Sequence, residues 1–247
     1  MPERFEPKQP TVEKKQVEEK IDLKNFLVKP KTDYRKVIQA EYEEHGRELE
    51  SWDEETLFTE FGEMLANGRF NYLKKKSEGG TYEAEVKILK EKLAGRMLID
   101  LGSGGFYMSM LANELGVRTY LSVDKFAGDK KVQLDPYVDL IKGQFRDIFP
   151  NMERIRVKDD MLDFIARVPQ GSACVTISGI DMNIIATEAY HEALAKEIMR
   201  VLPPGGIVFG NNSHCLDLLN PKITQVLKAE GSGFKIFEKF PKKLTRT

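Results

Sequence analysis

The stretch Ile99-Asp100-Leu101-Gly102-Ser103-Gly104-Gly105-Phe106 gathers the residue types that let a backbone hold a ligand closely. Glycines at the end of a strand permit a tight turn and leave the amides at the next helix start open to approach. The spacing is not that of a dinucleotide fingerprint, G-x-G-x-x-G, because Tyr107 stands at the sixth position, where its ring would obstruct pyrophosphate. Asp100, two residues before the first glycine, is a poor neighbour for a diphosphate and a good one for a ligand bearing an ammonium group. Asp124, 22 residues after Gly102, ends the next strand-like run and can accept hydrogen bonds from both hydroxyls of a ribose. Lys158-Asp159-Asp160-Met161 ends a third run, placing a carboxylate and a flexible apolar side chain where a purine can be hydrogen-bonded and packed. Asp159 reads as a solvated strand-end charge, since only one of the two acids should face a ligand.

Over roughly residues 82–247 the chain resembles the class I S-adenosylmethionine-dependent methyltransferases, and Asp100 to Gly105 looks like that family's first motif. The resemblance implies S-adenosylmethionine as cofactor, with Gly102, Ser103, Gly104 and Gly105 against its methionine part and Asp100 toward its ammonium group. It further implies Asp124 on the ribose, Asp160 on the adenine amine, Met161 against the ring, and Ser178 and Gly179 lining the pocket floor. The run Glu197 to Gly206 is similar to the family's helix and turn before the fifth strand. No Asn-Pro-Pro-aromatic sequence lies between Ser178 and Asn183, which disfavours amino groups of adenine or glutamine as acceptors. Neither Cys174 nor Cys215 lies in a Pro-Cys pair, so the covalent route to carbon five of cytosine has no nucleophile in place.

The expected activity is methyl transfer to an oxygen or nitrogen of an acceptor, a small molecule or a protein. In-line positioning against an activated sulfonium supplies most of the acceleration, so a strong base is not required. Two residues are candidates for catalysis. Asp181 would overlook the transferable methyl group or cap a loop; His191 is a general base or an exposed helical histidine. A catalytically inactive binding module with the same fold is the alternative, and a nicotinamide-dependent oxidoreductase is disfavoured by Tyr107.

These side chains need a scaffold. After Gly95, short apolar runs at 97–101, 119–123, 155–158, 173–178 and 207–210 alternate with helical stretches at 108–115, 137–149, 161–168 and 187–202. Strands alternating with helices predict an α/β fold, a Rossmann-like, mostly parallel sheet of about seven strands with helices on both faces. A helix is expected over 216–229, a strand over 234–240, and a last antiparallel edge strand over 242–247. Upstream, the Pro-rich, charged residues 1–33 read as a disordered tail. Residues 34–80 read as a helical extension or lid with helices near 34–49 and 53–66, and residues 81–247 as the cofactor domain, opened by a helix over 82–93.

Composition bounds the rest. The 247 residues carry 38 basic and 39 acidic groups, so no global basic field draws the chain to phosphate backbones; nucleic acid is disfavoured without being excluded. The charge is uneven, for residues 34–80 hold 11 acidic against 7 basic groups. Two cysteines 41 positions apart, with no CxxC and no nearby histidine pair, support neither a metal site nor a disulfide framework. With no signal-like or membrane-length apolar run, a cytoplasmic location is expected.

Overall fold

In the computed structural model the described residues are 21–46, 82–103, 108–125, 152–221, 223–228 and 235–240. The expected helices over 53–66 and 137–149, the edge strand over 242–247, and Gly104 to Tyr107 lie outside them. Seven strands form one sheet: β1 (Met97–Leu101), β2 (Thr119–Asp124), β3 (Glu153–Lys158), β4 (Cys174–Ile177), β5 (Ile207–Gly210), β6 (Thr224–Lys228) and β7 (Lys235–Lys239). Their order is β3-β2-β1-β4-β5-β7-β6. The first five strands are parallel, and β7 runs antiparallel to both β5 and β6.

Alternation along β1 shows why these runs are strands. Met97, Ile99 and Leu101 join one core and Leu98 the other, so an apolar run without polar breaks is what a strand covered on both faces requires. On one face lie α3 (Tyr82–Leu93) and α4 (Ser109–Glu114), contributing Leu89, Leu93, Leu111 and Ala112. On the other lie α5 (Met161–Arg167) and α6 (Glu188–Val201), contributing Leu162, Phe164, Tyr190, Leu194 and Ile198.

The carboxyl-terminal stretch departs from expectation. Instead of a helix over 216–229, a single helical turn, α7 (His214–Asp217), stops before Asn220-Pro221 and the chain continues as β6. Proline disfavours the helical region for the residue before it, and Thr224 and Val226 carry β-branched side chains suited to a strand. The hairpin that closes the sheet therefore joins β6 to β7, with an irregular register between Val226 and Lys228.

Residues 21–33 also behave differently from the tail they were expected to form. α1 (Leu23–Phe26) carries Leu23 and Phe26 against the core together with Ile21 and Leu27. The Ile21 amide donates to Glu153 Oε1 at 3.0 Å, and the Val28 amide to the Arg167 carbonyl at 2.8 Å. Four apolar residues within seven positions supply the burial that the charged average conceals. α2 (Arg35–Glu41) follows and widens into one further turn, Tyr42–Gly46.

This segment is fastened by two buried polar contacts. Tyr34 donates its hydroxyl to Glu197 Oε1 at 2.7 Å. Glu41 accepts from the amides of Ala186 and Thr187 at 3.0 and 2.8 Å and from the Thr187 hydroxyl at 2.7 Å, so the start of α6 is capped by a carboxylate from α2. Tyr34→Phe leaves a buried carboxylate oxygen without this donor. It is expected to lower the unfolding free energy by about 1–2 kcal/mol, seen as a lower urea midpoint at unchanged slope; an unchanged midpoint contradicts the docking of α2 on α6.

Candidate functional site

The strand order reverses beside β1. β2 and β3 lie to one side of it and β4 and β5 to the other, and the carboxyl ends of the strands at such a reversal are where open α/β sheets bind ligands. Gly102 and the segment Ser178 to Ile180 occupy that position.

Gly102 has φ +65°, a left-handed conformation that glycine adopts without a Cβ penalty. A Cβ there would lie 2.6 Å from Ile180 Cδ1 and 3.0 Å from Met161 Sδ. The ends of β1, β3 and β4 thus converge on one glycine. The turn is tied to β2 by the amides of Gly102 and Ser103, both donating to the Val123 carbonyl, at 2.9 and 3.2 Å. The buried hydroxyls of Ser103 and Ser122 share a hydrogen bond of 2.6 Å.

Asp100 faces the α3 and α4 side of the sheet, where it is 5% exposed and accepts a short hydrogen bond from the Tyr120 hydroxyl. Burial pushes its carboxyl up to about 7; the Tyr120 hydrogen bond pulls the other way, and the charge of Asp124 adds to the rise. Asp124 sits half-buried at the end of β2, close enough for its charge to act on Asp100.

Asp160 is the N-cap of α5. Its Oδ1 accepts from the amides of Leu162 and Asp163 at 2.9 and 3.1 Å and from the Tyr190 hydroxyl at 2.9 Å, and Oδ2 lies 3.0 Å from the same hydroxyl. Burial raises its carboxyl, and these donors oppose the rise. Only Oδ2 retains capacity for a purine amine. Asp159 is ion-paired with Arg167 rather than simply solvated, and Arg167 also reaches Asp163 at 3.0 Å. Met161, 8% exposed, contacts the Gly102 turn and so lies between the α5 cap and the glycines.

Past β4, Gly179 has φ +73° and donates its amide to the Asn211 carbonyl at 3.0 Å. The Ser178 hydroxyl lies 3.4 Å from the Asn211 amide, and Ser213 Oγ lies 3.1 Å from the Ile177 carbonyl. β4 and β5 approach so closely that a Cβ on Gly210 would lie 1.6 Å from the Ile177 carbonyl oxygen. Ser178 and Gly179 are thereby fastened to the segment that follows β5.

The two catalytic candidates have other work in this structure. Asp181 Oδ1 accepts from the Asn183 amide at 2.9 Å, and its carbonyl accepts from Ile184 and Ile185, so it caps the turn over 181–185. His191 is not exposed: it is fully buried, with Nε2 2.9 Å from the Ile185 carbonyl, which makes Nε2 the protonated nitrogen. Its Nδ1 has no hydrogen-bond partner among the described residues, and burial holds its pKa below the usual histidine value. The ring packs edge-on against His214, centroids 4.9 Å apart, and His214 Nε2 lies 2.8 Å from Glu188 Oε2. Sequence reasoning missed Tyr120, Tyr190, Ile180 and Glu41. The alternation of β2 put Tyr120 on the Asp100 face and was the one usable signal; the other three act across long separations.

No family model matches the chain, and no curated protein matches it. Among solved structures, SMU.1697c of Streptococcus mutans, described as a methyltransferase and complexed with SAH, is 13% identical, with 64% of this chain and 97% of that one covered at a TM-score of 0.45. yhhF of Escherichia coli, described likewise, is 12% identical, covering 65% and 86% at 0.47. A Thermus thermophilus 16S rRNA methyltransferase, RsmC, complexed with AdoMet and guanosine, is 19% identical, covering 65% and 42% at 0.43. With these TM-scores below 0.5, the functional reading rests on this chain's own residues.

The raised carboxyl of Asp100 has a thermodynamic signature. Between its ordinary value of 3.8 and about 7 the unfolded chain has released the proton and the folded chain keeps it. Stability therefore falls as pH rises from about 4 and levels off above about 7, by about 4 kcal/mol in all if no cation is bound. Asp100→Asn is expected to remove this fall, and urea denaturation of both proteins at about pH 4.5 and about pH 7.5 measures it; parallel curves would count against the burial of an ionisable Asp100.

Proposed function

We propose that the crevice binds S-adenosylmethionine and that the protein transfers its methyl group to an oxygen or nitrogen of a small-molecule or protein acceptor. The observation that carries this reading is the pairing of the left-handed Gly102 turn with Asp100, a carboxyl that burial pushes up to about 7. A ligand combining an adenosine with an ammonium group suits that pair and the acid at the end of β2. Bound there, the cofactor would supply a methyl group already activated by its sulfonium.

The chain's own residues bind and orient. Asp100 meets the ammonium charge, Asp124 takes the ribose hydroxyls, and Met161 with Oδ2 of Asp160 offers a face and an acceptor to the purine. Ser178 and Gly179 close the floor on the side from which an acceptor would approach. Near-neutral net charge favours a small molecule or protein over a polyanion.

Titration calorimetry with S-adenosylhomocysteine tests the cofactor. Binding is expected to tighten as pH rises through about 7, because the ionised Asp100 attracts the ammonium group and the protonated form does not. Asp124→Ala should weaken it about tenfold or more, the equivalent of one to two lost hydrogen bonds, and Gly102→Val should abolish it. Absence of binding by the folded wild type removes the cofactor assignment.

A second reading, a binding module without turnover, is favoured by the commitment of Asp181 to a turn and of His191 to the core. Transfer of a labelled methyl group from S-adenosylmethionine into fractionated extract decides between them. Label in a metabolite or protein fraction supports the enzyme; cofactor binding with no transfer supports the module.

A further inference from the structure

We propose that the opposite, amino-terminal edge of the sheet carries a second site, which binds a phosphate dianion or the phosphoryl group of a phosphate monoester between Arg96 and Arg118. The two arginines immediately precede β1 and β2, which pair in parallel with Met97 opposite Thr119. The Arg118 amide donates to the Arg96 carbonyl at 2.9 Å, so the pair occupies neighbouring positions in the same row. Adjacent strands are about 4.8 Å apart, so two guanidinium groups spring from the edge side by side.

A cleft of about 260 Å³ opens beside them, lined by Arg96, Arg118, Met97, Ser172, Pro203 and Pro204 among others. Among the described residues neither guanidinium has a carboxylate partner. Arg96 lies 3.4 Å from the Gly205 carbonyl and also donates toward the buried Cys174 thiol, neither of which balances its charge. Among the described residues, two acids on neighbouring strands are engaged elsewhere: Glu153 accepts from the Ile21 amide, and Glu238 from Lys92 and Gln225. The Ser172 hydroxyl donates to the Pro169 carbonyl at 2.7 Å and is not needed as a donor.

Two like charges at strand spacing with no acid between them repel, and an anion bridging them removes the repulsion. The guanidinium fork matches two oxygens of a tetrahedral oxyanion, so two forks can share one phosphoryl group. Charge decides the class of ligand. A dianion neutralises both arginines, whereas a monocarboxylate leaves one uncompensated. The apolar walls formed by Met97, Pro203 and Pro204 accommodate a compact organic body behind the phosphoryl group. The cofactor crevice lies at the other ends of the same strands, about 17 Å away for a five-residue strand, so the two sites do not overlap.

The probes are inorganic phosphate and phenyl phosphate, titrated into the full chain by calorimetry and thermal melting at constant ionic strength set with chloride. Saturable binding with one ion per chain and a rise in melting temperature are expected, with phenyl phosphate the tighter of the two. Arg118→Gln, at an exposed position, and Arg96→Gln should each weaken binding tenfold or more, and the double variant should abolish it. Arg35→Gln, on α2, should bind as the wild type does. An unsaturable melting shift that persists in the Arg96 and Arg118 variants is a general salt effect and overturns the site. So does binding that Arg35→Gln reduces as much as Arg118→Gln does.

Discussion

The carboxyl edge of this sheet depends on a single steric constraint at Gly102. Three chain segments, following β1, β3 and β4, need the same small volume, and only a residue without a Cβ lets Ile180 and Met161 fill it. The left-handed turn that results sends the chain back over β2, where two amides share the Val123 carbonyl. Gly210 solves the corresponding problem one strand further on, against the Ile177 carbonyl. Close packing of strand ends continues past this point, because the Ser213 hydroxyl and the Asn211 carbonyl lock the end of β4 and the residues after it to those after β5.

Electrostatics follow the same polarity as the strands. Acids collect where the parallel strands end, at Asp100, Asp124 and Asp160, and arginines where β1 and β2 begin, at Arg96 and Arg118. Burial raises the carboxyl of Asp100, with Tyr120 as its donor, while Arg96 and Arg118 line a cleft. Asp160 differs from both, since a helix start and a tyrosine satisfy most of its capacity.

Helix ends in this protein are finished by residues from other elements. The amides before α6 are capped by Glu41 of α2, and the last carbonyls of α5, at Ile165 and Val168, accept from Arg200 of α6 at 2.7 Å. Glu197, which orients Arg200 through a short hydrogen bond, is also the acceptor for Tyr34. The described amino-terminal segment, residues 21–46, thus completes hydrogen bonding on the α5 and α6 face, which explains why this charged, proline-containing stretch is packed there.

What was legible in the chain was whatever local pattern determines. Apolar runs bounded by glycine located β1, β2, β4 and β5 to within a residue, and helical periodicity located α3, α5 and α6. The glycine turn and the acid at each of three strand ends were readable for the same reason, since strand period and turn chemistry act over a few residues. β6 was misread as helix because its apolar spacing suits either period, and pairing with β7 settles it. The roles of Asp160 and His191, and the company kept by Asp100, were decided only by folding. Tyr190 lies 30 residues from Asp160, Glu41 lies 146 from Thr187, and a side chain's burial, partner and charge state depend on groups that the linear order leaves far apart.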